Sequence, residues 1–227
     1  MSDILALFDI DNTLMKTPVS HRDAFFTAIK NVYGINTDFA GLKPHGMTDR
    51  QIISGVLKIN GVEECRIYEG MEKCLLDMTE IFKREVVNEN LIILQGVEDL
   101  LKELHSRSIL MGLVTGNVEA IAWTKLKITG LSHYFKMGGF GSDDSSRTNL
   151  VKLAVGRAVK SFGFSGSGDV FLFGDTPKDI IAGKEAGVRT VAVSTGIFSR
   201  KELLKSNPDY IHENLSEISS IIKYLSL

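Results

Sequence analysis

The sequence predicts an α/β fold: a doubly wound parallel sheet of Rossmann-like winding, interrupted once by an inserted α-helical domain. Three observations carry that expectation. Short, continuous apolar runs recur, each ending at a polar residue or glycine. Amphipathic helical patterns lie between them. One stretch of about eighty residues, 15–94, holds helical patterns and no strand. Continuous apolar runs mark strands buried on both faces, and their alternation with helices marks a doubly wound sheet.

The first strand is Ile4 to Phe8, ending at Asp9. Helical patterns then run from about Ser20 to Tyr33, Thr48 to Ile59 and Glu64 to Val87, punctuated by Gly34, Gly46, Gly55, Gly61 and Gly70. A parallel sheet does not need this run. Residues 15–94 are therefore expected to form a helical cap domain, and residues 1–14 and 95–227 the α/β core, with Gly96-Val97 at the return. Val97 to Ser106 carries Val97, Leu100, Leu101 and Leu104 at helical spacing. A strand follows from Ile109 to Val114, ending at Thr115, and a helix from Glu119 to Ile128. The next helix runs from Leu150 to Phe162. A strand from Val170 to Phe173 ends at Gly174-Asp175. Pro177 to Ala186 begins with proline and stops at Gly187, the usual asymmetry of a helix. A last strand, Thr190 to Val193, ends near Ser194-Thr195-Gly196. Asn214 stands three residues before Glu217, which predicts a capping box for a final helix to about Tyr224.

Composition bounds the function. The chain has 227 residues, 44% apolar and 24% charged, ordinary for a globular protein with one core and an insertion. Lys and Arg total 26 and Asp and Glu 28, a net charge of −2, which does not suit nucleic acid. Apolar runs are too short for a membrane-spanning helix. The acids Asp3, Asp9 and Asp11 break any leader-like pattern at the start, so a cytoplasmic protein is expected. Cys65 and Cys74 have no metal-ligand spacing and read as reduced thiols. Nothing in the sequence sets an oligomeric state.

In doubly wound sheets, ligands bind beyond the carboxyl ends of the strands. Asp9, Thr115 and Asp175 each stand there, so three distant segments are expected to converge on one crevice. In Asp9-Ile10-Asp11-Asn12-Thr13, two carboxylates can meet if the chain turns; close carboxylates repel until one holds a proton or a cation binds. A metal-bound carboxylate can attack phosphorus while a protonated neighbour serves the leaving oxygen. Thr115-Gly116-Asn117 offers a hydroxyl, a glycine and a helix cap, with donors for a phosphoryl oxygen. Asp175 and Asp179 flank a helix start, hard oxygen ligands of the kind that suit Mg²⁺; complementing the helix dipole is the other reading of Asp179. A transferring phosphoryl group also needs a basic residue. Arg147, at a helix start near the strand ends, is favoured over Lys152, a turn and a half later.

Together these motifs resemble the haloacid dehalogenase superfamily of phosphohydrolases, over essentially the whole chain. The resemblance rests on D-x-D-x-T at Asp9 to Thr13, Thr115 at a strand end, and G-D-T-x-x-D at Gly174 to Asp179, continued by Ala182-Gly183-Lys184-Glu185-Ala186-Gly187-Val188. It implies Asp9 as a nucleophile forming an aspartyl-phosphate, and Asp11 as general acid and then base. It implies Mg²⁺ held by Asp9, the backbone carbonyl of Asp11, and Asp175. Thr115 would bind the phosphoryl group, and Asp179 would support the site or its basic residue. That residue is usually lysine; Arg147 stands in its place here, with a fork that suits phosphoryl oxygens. The insertion after Thr13 resembles the helical cap of the phosphoglycolate-phosphatase-like branch. The implied substrate is a small phosphorylated metabolite.

Asp11 separates this chain from the dehalogenating and phosphonate-cleaving members, which lack an aspartate there. Sugar-phosphate mutases keep it, but usually carry arginine directly after a cap Gly-x-Ser/Thr. Here Gly46-Met47-Thr48 is followed by Asp49, with Arg50 one place on. A non-catalytic protein that binds a phosphometabolite is a further alternative. His21, His45, His105, His133 and His212 show no ligand spacing and read as surface or core histidines; His45 and Arg50, in or near the cap loop, are the candidates there for substrate contact. Trp123, at helical spacing, reads as core.

Overall fold

The computed structural model describes residues 3–225. In chain order its elements are β1 (Ile4–Phe8), α1 (Val19–Tyr33), α2 (Asp49–Ile59), α3 (Glu64–Glu85), α4 (Val97–Ser106), β2 (Leu110–Thr115), α5 (Glu119–Ile128), β3 (Gly138–Phe140), α6 (Arg147–Phe162), β4 (Asp169–Gly174), α7 (Pro177–Ala186), β5 (Arg189–Val193), α8 (Arg200–Leu204), β6 (Tyr210–His212) and α9 (Ile218–Leu225). The six strands form one parallel sheet ordered β3-β2-β1-β4-β5-β6. This is the expected doubly wound α/β fold. The winding reverses between β1 and β4, the switch point where a crevice opens at the strand ends.

Alternate residues of each strand serve opposite faces, as a pleated sheet requires. Ala6 and Phe8 of β1 join Met111, Leu113, Phe171, Phe173 and Val191 in one cluster, under Leu100 and Leu104 of α4, Leu126 of α5 and Ile221 of α9. There Phe8 stacks on Phe173 with ring centroids 4.5 Å apart. Leu5, Leu7, Val114 and Leu172 face the other way, against Leu150, Val151, Ala154 and Ala158 of α6 and Ala182 of α7.

Residues 19–88 contribute helices alone, and these bury a cluster of their own. It holds Phe25 and Ile29 of α1, Ile53 and Leu57 of α2, and Met71, Met78 and Phe82 of α3, and it reaches the core at Ile121. The segment is joined to the sheet by two connectors that run side by side. Lys16 N donates to Ile92 O at 2.9 Å, Leu94 N donates to Leu14 O at 3.0 Å, and Met15 bridges Ile93 antiparallel. Glu89, on the returning connector, accepts from Val19 N and Ser20 N at 2.7 and 2.9 Å and so caps α1.

Several elements differ from expectation. β3 is Gly-Gly-Phe, without the β-branched signal of a strand. Its Gly139 is required by packing: a Cβ there would lie 2.0 Å from the carbonyl of Leu150, where α6 crosses the sheet. β6 and α8 are short. The capping box before α9 does not form. Asn214 Oδ1 instead accepts from Ser216 N and Oγ, and Glu217 pairs with His212. Among the described residues no helix is long and apolar enough to cross a membrane.

Candidate active site

β1 and β4 deliver Asp9 and Asp175 to the two sides of the switch point. Asp9 N still donates to Phe173 O at 2.9 Å, continuing the ladder one residue past the strand. The chain then turns sharply, with Asn12 in the left-handed region at φ 61°, a conformation asparagine tolerates better than most residues. Asn12 N bonds Met15 O at 2.6 Å, which returns the backbone and leaves Asp11 beside Asp9 rather than beyond it. Thr115 is the last residue of β2 and is buried. Arg147 is the first residue of α6, after the N-cap Ser146.

Two ionic groups result. In the first, Arg147 Nη2 lies 2.6 Å from Asp9 Oδ1 and 2.5 Å from Asp179 Oδ1. Asp179 Oδ2 accepts from Thr176 N and Oγ1 at 3.0 and 2.7 Å, so the helix cap also aims this acid at the arginine. Carboxylate oxygens of Asp9, Asp175 and Asp179 all lie within 4.8 Å of one another. Burial pushes Asp9 up to about 7, with the Asp179 and Asp11 charges adding to it and Arg147 opposing. Burial, with Asp9 and Asp179 nearby, pushes Asp175 up to about 9. The Arg147 guanidinium is held firmly protonated: burial opposes its charge, but the facing carboxylates prevail.

The second group surrounds Asp11. The Lys125 ammonium, fully buried, lies 2.7 Å from both Asp11 oxygens and 2.7 Å from Asn117 Oδ1. Asn117 Nδ2 donates to Asp11 Oδ2 at 2.9 Å. His21 Nδ1 sits 3.1 Å from Lys125 Nζ, and its Nε2 3.6 Å from Asp49 Oδ2. Burial acts to raise Asp11, but the charge of Lys125 and the hydrogen bonds outweigh it, and its pKa is lowered. The two neighbouring acids are thus driven in opposite directions, the condition under which one carboxylate can act as base while its partner does different work.

Asp9, Asp11, Thr115, Gly116, Asn117, Arg147 and Asp175 all line one cavity of about 500 Å³. Asp179 lies behind Arg147. Lys152 is exposed on α6 and lines a separate hollow. Asn117 does not cap α5, whose N-cap is Val118; its amide is committed to Asp11 and Lys125. Gly116 is needed for a close approach, since a Cβ there would fall 2.3 Å from the carbonyl of Met47. His45 lines the cavity, whereas Arg50 turns to Glu72 at 2.7 Å. Trp123 is partly buried against the core.

Lys125 and His21 join the site although no motif marks them. Both carried a signal. Lys125 occupies the buried face of α5 with Ile121, Ala122 and Leu126, and His21 that of α1 with Ala24 and Phe25. A lysine on an apolar helix face needs a buried partner.

The first group also fits a hard divalent cation. Its donors are carboxylate oxygens, the preferred ligands of Mg²⁺. Asp175 Oδ1 is buried without a hydrogen-bond partner among the described residues, an acceptor lacking a positive charge. Arg147 Nε is buried and equally unpartnered, a donor lacking an anion. A cation and a phosphoryl group together would satisfy both.

The family model described as haloacid dehalogenase-like hydrolase matches residues 6–193. The chain is 26% identical over 226 residues to pyrophosphatase PpaX of Oceanobacillus iheyensis, covering 98% of each protein. It is 28% identical over 131 residues to a phosphoglycolate phosphatase of Pseudomonas fluorescens, covering 58% of this chain and 47% of that one. Among solved structures, CbbY from Rhodobacter sphaeroides in complex with phosphate superposes with a TM-score of 0.73 at 17% identity, covering 96% of each chain. A hydrolase from Pseudomonas syringae gives 0.71 at 16% identity, covering 97% and 98%. These structural likenesses show the same fold.

Proposed function

We propose that this chain, which belongs to the haloacid dehalogenase-like hydrolase family, is a Mg²⁺-dependent phosphohydrolase that cleaves monoesters of small metabolites through an aspartyl-phosphate on Asp9. The observation that carries this reading is the first ionic group: an unpartnered buried acceptor and an unpartnered buried donor, flanking a crowded carboxylate at the switch point. The names of the relatives, a pyrophosphatase and a phosphoglycolate phosphatase, support phosphate chemistry.

Asp9, Asp175 and the backbone carbonyl of Asp11 would hold the cation, which supplies charge neutralisation at the phosphoryl oxygens when bound. Arg147 turns its fork to the same oxygens, kept in place by Asp179, and the Thr115 hydroxyl, itself accepting from Asn117 N at 3.2 Å, completes the cradle with the Gly116 backbone. An Asp9 carboxylate oxygen attacks phosphorus in line and the bond to the alcohol oxygen breaks. The proton that Asp11 gives to the departing alkoxide would be the one it takes from the attacking water in the preceding turnover. A water then attacks the aspartyl-phosphate, Asp11 accepts its proton, and phosphate leaves with Asp9 restored. The paired, ionised state of Asp11 matches this second half-reaction.

Residues 15–94 would act as a cap that covers the crevice and excludes bulk water. Asp49 ties it down: its N donates to Gly116 O at 2.8 Å and its Oδ2 accepts from Val118 N at 2.7 Å. Both cysteines are free, which suits a cytoplasmic enzyme.

The test is phosphate release from p-nitrophenyl phosphate with and without Mg²⁺. The wild type should turn over only with the cation, and Asp9→Asn should lose activity by on the order of 10³-fold or more while staying folded. An inactive wild type, or an Asp9→Asn variant as active as the wild type, refutes the reading.

A further inference from the structure

The cavity above Asp9 divides by chemistry. Its floor holds the carboxylates, Thr115 and Arg147. Its wall on the helical side is formed by Phe25, Phe39, Met47 and Ile52. Phe39 meets Phe25 edge-on with centroids 6.0 Å apart and leans on Phe26 at 4.7 Å, so the rings brace one another. Phe25 and Ile52 are also part of the buried cluster of the helical segment. This wall is therefore fixed by packing.

Several of the polar groups that line the cavity are already engaged, although among the described residues His21 Nε2 is not. Asn117 is used at both ends of its amide. Asp49 Oδ2 is taken by Val118 N, Thr195 donates to Asn12 O, and Thr176 donates to Asp179. Hydroxyl groups laid against the Phe25, Phe39, Met47 and Ile52 side chains would leave their waters and find no replacement on them, a cost of the kind that rejects a ligand. Carbon gains there in proportion to its buried area. A second phosphate fares no better. Of the lysines and arginines lining the cavity among the described residues, only Arg147 is buried in its side chain; Lys16 and Arg22 are exposed, and Arg22 pairs with Asp23. A cavity of about 500 Å³ also exceeds what a glycolyl group fills and lies within the usual range for larger ligands.

We propose, resting on the phosphohydrolase reading above, that the alcohol released is apolar: a primary alcohol with an aryl or alkyl body seated against Phe25, Phe39, Met47 and Ile52. In the net reaction water's oxygen ends on phosphorus, the ester P–O bond breaks, and one water proton ends on the alcohol.

Initial rates with Mg²⁺ on benzyl phosphate, hexyl phosphate, glucose 6-phosphate, 2-phosphoglycolate and pyrophosphate test this. The first three leave as primary alkoxides, so differences among them report on the pocket rather than on the leaving group. We expect kcat/KM for benzyl or hexyl phosphate to exceed that of each polar substrate by about tenfold or more. Equal or better turnover of pyrophosphate, phosphoglycolate or the hexose phosphate overturns the inference and leaves the phosphohydrolase reading standing. Failure to release phosphate from any of the five overturns both. Phe39→Ser, at a half-buried position, should lower kcat/KM for benzyl phosphate about tenfold and that for 2-phosphoglycolate less than twofold. An equal loss on both counts against the proposal.

Discussion

Lys125 shows what a single side chain contributes here. It is wholly buried and spends its donors on Asp11 and Asn117. Removing one member of a buried ion pair strands the other, which costs about 3–5 kcal/mol. Lys125→Met should therefore lower the unfolding free energy in urea by about 3 kcal/mol, and it should lower kcat more than it raises KM. Adding Asp11→Asn should recover part of the stability, because the stranded charge goes with it, and none of the activity. If the single variant is as stable as the wild type, the pair does not hold the site together. The sequence made Asp9, Thr115, Arg147 and Asp175 readable because each stands at a strand end or helix start, where local pattern alone locates it. Lys125 and His21 were not readable as site residues: their partners lie 114 and 104 positions away along the chain, and only the folded helices bring them together.

At the level of elements, the loop before α2 and the loop after β2 meet backbone to backbone. Asp49 N bonds Gly116 O, and the Met47 carbonyl occupies the space a Cβ on Gly116 would need. Gly116→Ala should push these loops apart. Overpacking of this kind costs about 1–3 kcal/mol, but the larger effect is expected in kcat/KM, down at least about tenfold, since small misplacements of a closing element are costly in rate. Unchanged kinetics would show that the loop contact plays no part in turnover. The same closeness explains which elements could be read from sequence. β1, β2, β4 and β5 are continuous apolar runs. β3 is hidden because the packing of α6 demands glycine where a strand would carry a branched residue. The box expected at Asn214 fails because Glu217 finds His212 instead, a contact made only once β6 and α9 are side by side.

Across the whole molecule, the crowded acids tie stability to pH. Asp9 and Asp175 rise from 3.8 to about 7 and about 9 in the folded state. A group raised in this way favours the fold while it is protonated. That contribution is complete below about pH 4 and is lost as pH climbs through the two folded values. Chelator-treated protein should therefore melt at falling temperature from pH 6 to pH 9, and Asp175→Asn should flatten the slope. Mg²⁺ should raise the melting temperature more at pH 8.5 than at pH 6, because it competes with protons for the same oxygens. A melting curve indifferent to pH and Mg²⁺ would remove the cation from the site. The paired connectors at Leu14–Lys16 and Ile92–Leu94 carry a different implication. The chain departs from the sheet and rejoins it within one ladder spacing, about 5 Å. Everything between those connectors can be spliced out and replaced through two neighbouring cuts, with a short turn closing the gap. Heredity, or an engineer, can thus trade one appetite for another while the reacting carboxylates stay in an untouched frame.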